Sequence, residues 1–417
     1  MLFRFSLYGF LKNQRYFEPF LILAFLDKGM SFFEIGVLIA FREVTTNILE
    51  IPSGSIADLL GRRRAMVVSF AAYVISFIGF WLADDPALLW PAMAMFSVGE
   101  AFRTGTHKAM IFAWLAREGR TDEKTKVYGH TRSWSKLGSA ASIVVGAGLM
   151  FWLDEYAAVF LLSAIPAAAN VINLATYPSY LDGERHEGAG MRTIFRHSVA
   201  AIATAIKTPR LRRLLGESMT FEGLFHASKD FLQPLLAACA ITWFAPWGGA
   251  GEWSELQRTT LLIAPTYLTL HLLSAVASRR AHWFVAIAGG EARSARLLWA
   301  LATALFLAML AGELTTTFAI SIAAFVLLAV AQNIWRPIFL SRLDAATDGS
   351  SAVTLSVESQ ARRATTMLLA PAFGAAIDMT QSTESAQIGD YWPIAAIGGA
   401  LTLLMLARSY RVIEQTE

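Results

Sequence analysis

Long apolar segments separated by short polar turns fill most of the chain. Each segment is near or above the roughly 20 residues that a helix needs to cross the hydrocarbon core of a bilayer. This pattern predicts an all-α membrane protein with twelve transmembrane helices. The predicted spans cover residues 5–26, 32–56, 65–83, 88–116, 127–153, 157–177, 211–244, 254–277, 296–311, 317–343, 351–377 and 391–407.

One long polar stretch, residues 178–210, separates the first six spans from the last six. It predicts two six-helix bundles, at residues 1–177 and 211–417, joined by a cytoplasmic linker. Within the linker, apolar side chains recur at helical spacing between residues 191 and 206. That spacing predicts an amphipathic helix on the inner membrane surface.

The composition supports a membrane location. Of the 417 residues, 55% are hydrophobic and 16% are charged, whereas a soluble domain carries about 25% charged residues. The chain therefore lacks the charges to cover a water-exposed surface, and we expect a lipid bilayer around it. Its single cysteine, Cys239, excludes an internal disulfide and a zinc site built from thiolates.

Basic residues are distributed very unevenly between the two sets of loops. With the N-terminus placed inside, Lys28 is the only Lys or Arg in the outer loops. The positive-inside rule then predicts a multi-pass protein of the cytoplasmic (inner) membrane with both termini in the cytoplasm. The small net charge of +3 arises from these loops, so we expect no nucleic-acid partner. We expect a monomer.

The turn after the second span carries a compact motif. The stretch from Gly54 to Arg63 has the form G-x-x-x-D-x-x-G-R-R, with Asp58 at its centre and Gly61 before the arginines. We expect Gly54 and Gly61 to bracket a short turn, since glycine accepts the backbone conformations that such a turn needs. A lone carboxylate then lies beside a cluster of arginines that begins at Arg62.

This motif resembles the loop between helices 2 and 3 of the major facilitator superfamily, a large family of secondary transporters. The matching residues are Gly54, Asp58, Gly61, Arg62 and Arg63. The resemblance implies the fold of that family and a gating role for the motif. Asp58 would pair at the inner end of a helix in the second half, and the arginines would complete a latch that opens as the two halves rock.

The distribution of charges over the spans agrees with the same family. Spans 3, 6 and 12 have no Asp, Glu, Lys or Arg in their interiors, whereas spans 1, 2, 4, 5, 7, 10 and 11 carry many. A charge inside a membrane is costly unless it faces a partner or water. In the superfamily, helices 1, 4, 7 and 10 line the central path, and helices 3, 6, 9 and 12 support them from outside.

The charged spans supply the candidate site residues. Basic side chains outnumber acidic ones there, which favours an anionic or zwitterionic solute. The candidate substrate-binding residues are Lys12, Arg15, Tyr16, Arg103, His107, Arg132, Lys136, His226, Gln233, Asn333 and Arg362. The candidate proton carriers are Glu43, Glu100, Glu222 and Asp230, because buried carboxyl groups can change charge near neutral pH. For each residue a purely structural ion pair, such as Glu100 with Arg103, remains an alternative.

Together these patterns predict a secondary active transporter that moves a small anionic or zwitterionic solute by alternating access, with protons as the coupling ion. A proton-driven efflux pump for amphipathic compounds is one alternative. A non-transporting membrane receptor or scaffold on the same fold is another. The sequence has no G-x-x-x-x-G-K-[ST] loop of an ATP-driven pump and no HExxH motif. We therefore expect no enzyme activity, no cofactor and no metal.

Overall fold

The computed structural model describes residues 1–103, 106–182, 203, 205–244, 253–347, 351–381 and 390–411. Most of these residues lie in helices, and none of these ranges contains a strand. The amphipathic helix predicted at 191–206 lies almost entirely outside them. The side chain of Asp58 also lies outside the described part, so its predicted pairing stays a prediction.

The chain divides into two compact units, Met1–Met30 with Phe41–His197 and Ser31–Ala40 with Ser198–Glu417. The first eight helices are α1 (Leu2–Leu11), α2 (Leu21–Asp27), α3 (Phe32–Leu60), α4 (Arg62–Leu82), α5 (Leu89–Arg103), α6 (Thr106–Arg117), α7 (Lys124–Leu153) and α8 (Tyr156–Ala175). The boundary between the units falls within α3, whose first turns belong to the second unit.

The later helices of the described residues belong to the second unit. They are α9 (Pro209–Ser218), α10 (Leu224–Ser228), α11 (Leu232–Phe244), α12 (Glu255–Ala288), α13 (Glu291–Leu314), α14 (Phe318–Asp344), α15 (Ser351–Thr380) and α16 (Trp392–Arg411). A π-helical turn at Met219–Gly223 joins α9 to α10, and a 3-10 turn at Lys229–Phe231 joins α10 to α11.

Seven helices in the described part are long and apolar enough to cross a membrane: Arg62–Leu82, Thr121–Leu153, Tyr156–Ala175, Glu255–Ala288, Glu291–Leu314, Phe318–Asp344 and Trp392–Ser409. The first and seventh predicted spans are divided into shorter pieces, and α5 and α6 cover the described part of the fourth. The remaining two correspond to α3 and α15, which are helices of 29 and 30 residues that carry several charged side chains.

The break in the first span is stabilised by α7. After α1 ends, the side-chain amides of Asn13 and Gln14 donate to the backbone carbonyls of Ser135 and Gly138, at 2.5 and 2.9 Å. Gln14 is buried, and a buried amide needs such partners. These hydrogen bonds join the non-helical segment to its neighbour and fix the position of the residues around Lys12.

The predicted turn at the gating motif is much shorter than the sequence suggested. The expectation that Gly54 opens it was wrong, because α3 continues through Gly54 to Leu60. Only Gly61 leaves the helix, with a φ of +97° that favours glycine. The segment between the two glycines carries a continuous helical pattern, so a single residue suffices to separate α3 from α4.

An acidic residue that follows α8 completes this turn. Asp182 accepts a hydrogen bond from the backbone N–H of Arg63 at 3.0 Å, and its carboxylate lies 3.5 Å from Arg63 Nε. Arg63 also donates to the backbone carbonyl of Tyr177 at 3.1 Å. Asp182 therefore caps the N-terminus of α4, where negative charge is favourable. It contacts Gly61 closely, and a Cβ at that position would lie 2.6 Å from its carboxyl carbon.

A second carboxylate caps a helix start within the second unit. The two oxygens of Asp378, on α15, accept hydrogen bonds from the backbone N–H groups of Phe32 and Phe33, at 3.1 and 2.8 Å. Ser31 and Glu34 add reciprocal side-chain to backbone hydrogen bonds at the same helix start. The first turn of α3 is thereby held on α15.

The two motif glycines give a matched pair of substitutions. We expect Gly61→Ala to lower the free energy of unfolding by about 1–3 kcal/mol, because alanine there has a strained backbone and meets Asp182. Gly54 is helical and faces open space, so Gly54→Ala should be neutral or stabilising by up to about 1 kcal/mol. Thermal unfolding in detergent measures both, and equal destabilisation would contradict the assignment of the turn to Gly61.

Candidate functional site

A cavity of about 250 Å³ lies in the first unit, between α1, α6 and α7. Its walls combine cations, hydroxyl groups and aromatic rings. The lining residues are Phe5, Tyr8, Gly9, Lys12, Asn13, His107, Ile111, Tyr128, Thr131, Arg132, Ser135, Lys136 and Ser139. None of these thirteen residues is acidic. The cavity contains four of the predicted substrate-binding residues.

Glycine at position 9 lets α1 approach α7 and so shapes this cavity. A Cβ on Gly9 would lie 2.7 Å from Ser135 Oγ and 2.9 Å from the carbonyl oxygen of Thr131. A larger residue would therefore push the two helices apart. The close contact places the end of α1, with Lys12 as its C-terminal cap, opposite the polar face of α7.

Three cations in the cavity have no acidic partner among the residues that the structure describes. Lys12 is half-buried, whereas Arg132 and Lys136 expose their side chains and lie one helical turn apart on α7. Within the described part of the chain, no carboxylate oxygen lies within 4 Å of any of the three. Lys12 Nζ lies 5.6 Å from the ring centroid of Tyr8. A cavity with this excess positive charge attracts anions.

Hydroxyl groups along α7 form a second wall. Thr131 donates to the carbonyl of Tyr128 at 2.9 Å, and Ser139 donates to that of Ser135 at 3.2 Å. Ser135 donates to the carbonyl of Thr131 at 3.4 Å. Because the hydroxyl protons are used within the helix, these oxygens remain as acceptors for donors on a bound molecule.

His107 lies at one edge of the cavity among aromatic rings. Its imidazole stacks on Tyr8, with ring centroids 3.7 Å apart and planes at 17°. Its Nε2 lies 3.5 Å from the hydroxyl of Tyr177, which itself donates to the carbonyl of Arg4. These contacts give His107 a packing role in addition to its place in the cavity wall.

The structure places Arg15 and Arg103 in an ion-pair cluster and not in the cavity wall. Glu100 lies 2.7 Å from Arg15 Nη2 and 2.5 Å from Arg103 Nη2. Arg103 Nε also donates to the hydroxyl of Tyr73 at 3.1 Å, and the Arg15 guanidinium lies 4.9 Å from the Tyr73 ring centroid. The predicted pair of Glu100 with Arg103 is thus present and includes a third member. Tyr16 lies nearby, where its backbone N–H donates to Ser163.

The second unit contains a separate polar cluster around Glu222. This residue lies in the π-helical turn and is 2% exposed. Its Oε1 accepts a hydrogen bond from Gln332 Nε2 at 2.9 Å, and its Oε2 lies 3.6 Å from His226 Nε2. Asn333 donates to the Gln332 oxygen at 3.0 Å. Irregular turns of this kind often occur at functional sites.

A charge-paired carboxylate lies close to the same turn. Glu358 on α15 accepts two hydrogen bonds from Arg336, at 2.7 and 3.0 Å, and another from the hydroxyl of Ser218. The predicted binding residue Arg362 lies 3.8 Å from Glu358. Sequence reasoning did not select Gln332 or Ser218 as site residues. Gln332 is 110 positions from Glu222, so no local spacing could have revealed their contact.

The remaining candidates also have identified surroundings. Asp230 lies 2.5 Å from the neighbouring Lys229, and Glu43 lies 2.7 Å from the neighbouring Arg42. Gln233 is fully buried in α11. The structure thus brings Lys12, His107, Arg132 and Lys136 together in one unit. It brings Glu222, His226, Asn333 and Arg362 into the region of the π-helical turn in the other.

Paired and unpaired arginines should respond differently to removal of their charge. Arg103→Gln leaves Glu100 with one guanidinium fewer, so we expect a loss of about 1–3 kcal/mol in the free energy of unfolding. Arg132→Gln removes a cation from a positively charged cavity, and stability should stay the same or rise. Thermal unfolding of the two variants in detergent measures the difference. A larger loss for Arg132→Gln would show that Arg132 has a structural partner.

Comparison with known proteins identifies the family of this chain. The family model of the Major Facilitator Superfamily matches residues 13–357. The chain is 27% identical over 106 residues to the uncharacterized MFS-type transporter YxaM of Bacillus subtilis (strain 168), covering 25% of this chain and 26% of YxaM. It is 26% identical over 156 residues to the multidrug resistance protein MdtH of Yersinia pestis (strain Pestoides F), covering 35% of this chain and 37% of MdtH. The chain therefore aligns with about a quarter to just over a third of the length of these curated relatives.

Solved structures share the fold over almost the full length. The nucleoside transporter NupG superposes with a TM-score of 0.76 over 99% of this chain and 98% of NupG, at 12% identity. A POT family transporter in complex with 5-aminolevulinic acid gives a TM-score of 0.71 over 99% of this chain and 96% of that chain, also at 12% identity. Such identities show a common fold and not a common solute. With the family match over residues 13–357, they lead to one conclusion: the chain belongs to the Major Facilitator Superfamily.

Proposed function

We propose that the protein is a secondary active transporter that carries a small anionic or zwitterionic solute across the membrane by alternating access. The observation that carries this proposal is the cavity of the first unit, where Lys12, Arg132 and Lys136 have no acidic partner in the described residues. Cations within a membrane are costly unless a partner or water balances them. A transported anion supplies the compensating negative charge while it is bound. Its release leaves the three cations uncompensated again, so the anion can rebind and binding is reversible.

The proposal includes twelve membrane spans with both termini in the cytoplasm of a monomer in the inner membrane. Acidic residues occur in turns assigned to the outer side, such as Asp84 and Asp154, whereas arginines follow the inner turn at Gly61. Divided spans are compatible with a membrane where neighbouring helices satisfy the freed backbone groups. The side-chain amides of Asn13 and Gln14 make such contacts with α7.

Single-cysteine labelling tests this topology. Because Cys239 is the only cysteine, Cys239→Ser gives a background without thiols. A membrane-impermeant maleimide added to intact cells should label Asp84→Cys and spare Glu118→Cys until the cells are permeabilised. Both positions are exposed turns on opposite sides of the predicted fourth span. Labelling of both or of Glu118→Cys alone in intact cells would contradict the twelve-span arrangement.

For proton coupling, the proposal selects Glu222 from the four candidate carboxylates. Glu43, Glu100 and Asp230 each have a Lys or Arg nitrogen within 2.7 Å. The direct partners of Glu222 in the described part are the neutral amide of Gln332 and the imidazole of His226, which is charged only when protonated. A buried carboxyl without a permanent cation can bind a proton at low cost.

The surroundings of Glu222 give a route for the coupling. Arg336, Arg362 and Glu358 are the other charged groups of this cluster, and Glu358 is held mainly by Arg336. Protonation of Glu222 would release His226 and Gln332 from their contact with a carboxylate. The π-helical turn could then change its hydrogen bonding more easily than a regular α-helix, since its own geometry is less favourable.

Glu222→Gln separates coupling from binding. In proteoliposomes, we expect this variant to lose solute accumulation driven by a pH gradient and to keep solute exchange between two equal pools, which needs no net proton movement. Asp230→Asn is the matched control, because Asp230 already has Lys229 at 2.5 Å, and it should keep its response to the pH gradient. Accumulation by Glu222→Gln that still follows the pH gradient would overturn the assignment of the proton to Glu222.

Efflux of amphipathic compounds is a second candidate, favoured by the similarity to MdtH, a protein named for multidrug resistance. The cationic cavity of the first unit argues against amphipathic cations as the main cargo, because like charges repel. Parallel flux measurements with a lipophilic cation and an organic anion in the same proteoliposomes distinguish the two. A receptor or scaffold on this fold would show ligand binding and no flux of either compound.

A further inference from the structure

We propose that the solute bound in the first unit is a small organic polyanion with at least two negative charges. This inference rests on the proposed transport function and adds the charge class of the solute. The supporting observation is the number of charges in the cavity. Three cations line it, and its thirteen described lining residues include no carboxylate. One monovalent anion would leave two of these cations without compensation.

The cations are close enough to repel one another. Arg132 and Lys136 occupy positions i and i+4 on α7, where like charges repel, and Lys12 lines the same cavity. Glu100, which pairs with Arg15 and Arg103, is not among the residues that line the cavity. The cavity therefore retains its excess positive charge, which favours ligands that compensate several cations at once.

The arrangement of the cations favours separated anionic groups on the ligand. Arg132 and Lys136 are four residues apart on α7, which corresponds to roughly 6 Å along the helix axis. Lys12 lies across the cavity at the end of α1. Two carboxylates on a short carbon chain, or a phosphate monoester with a second polar end, can contact cations from both helices. A single monovalent group supplies only one negative charge to offset these three cations.

The uncharged residues that line the cavity indicate which uncharged groups the ligand carries. The hydroxyl oxygens of Thr131, Ser135 and Ser139 remain as acceptors, so they suit hydroxyl or amino groups between the anionic ends. A volume of about 250 Å³ restricts the solute to a small organic molecule. Di- and tricarboxylates and phosphate monoesters share the required chemistry, and the experiment separates them.

Lys108 provides a matched control for the cavity lysines. It is an exposed lysine of α6 that lies 5.5 Å from the ring centroids of both Phe112 and Tyr128, and it does not line the cavity. Its ammonium group makes cation–π contacts with these two rings. Lys108→Gln thus removes a positive charge from the same unit and keeps every lining residue, including Tyr128, which Lys108 contacts.

The test measures binding of defined probes to the full-length protein in detergent at constant ionic strength. Butyrate, succinate and tricarballylate carry one, two and three carboxylates, and glycerol 3-phosphate carries a phosphate monoester, with glycerol as its neutral control. We expect succinate, tricarballylate or glycerol 3-phosphate to bind at least about 10-fold more tightly than butyrate. We expect Arg132→Gln and Lys136→Gln to weaken that polyanion by about 10-fold or more, the scale of a charged hydrogen bond. Lys108→Gln should leave it unchanged.

Each other outcome overturns a defined part of the proposal. Equal affinity for butyrate and the polyanions, with the same loss in Arg132→Gln, would reject the polyanion and leave an anion transporter. Polyanion binding that Lys108→Gln weakens as much as Lys136→Gln would reject this cavity as the site. If no anionic probe binds the wild type more tightly than Arg132→Gln, the polyanion and the anionic-solute function both fail.

Discussion

The cost of placing charges in an apolar environment governs both units of this protein. One arrangement recurs in both units: a buried or half-buried carboxylate pairs with two guanidinium groups. Glu100 joins Arg15 to Arg103, and Glu217 lies 2.6 Å from Arg342 and 3.1 Å from Arg213. Removing one member of such a buried cluster costs more than the cluster contributes, because it leaves an uncompensated charge. Charges without such partners therefore stand out as candidates for function.

Much of the fold follows from the apolar pattern alone. The third and sixth predicted spans, 65–83 and 157–177, agree with α4 and α8 within a few residues, because these helices have few polar groups to interrupt them. The eighth span continues to Ala288 and not to residue 277, since a helix can extend past its apolar part into polar surroundings. At the breaks in the first and seventh spans, Gln14 and Glu222 make hydrogen bonds with residues 124 and 110 positions away, which no local pattern records.

The sequence predicted which residue types form the candidate site, but it did not predict which of these residues pair with one another. Helical spacing identified the pair of Glu100 with Arg103, three residues apart, but not the contribution of Arg15 from another helix. The motif glycines looked equivalent in sequence, although only Gly61 has a positive φ. Asp182 gave no local signal, because it caps Arg63 from a position 119 residues away. Tertiary contacts of this kind decide which charges stay available to a solute.

The π-helical turn at Met219–Gly223 has a consequence for the register of the whole seventh span. A hydrogen bond from i to i+5 accommodates one residue more than an α-helical turn does, so the turn is equivalent to a one-residue insertion. Converting the turn to a regular α-helix with all of its residues retained would rotate everything on one side of the turn by about 100° relative to the other. Leu214 and Leu215, now buried, would change faces with respect to His226. Comparisons of the seventh span with proteins that lack the turn must therefore open a gap here to keep equivalent faces aligned.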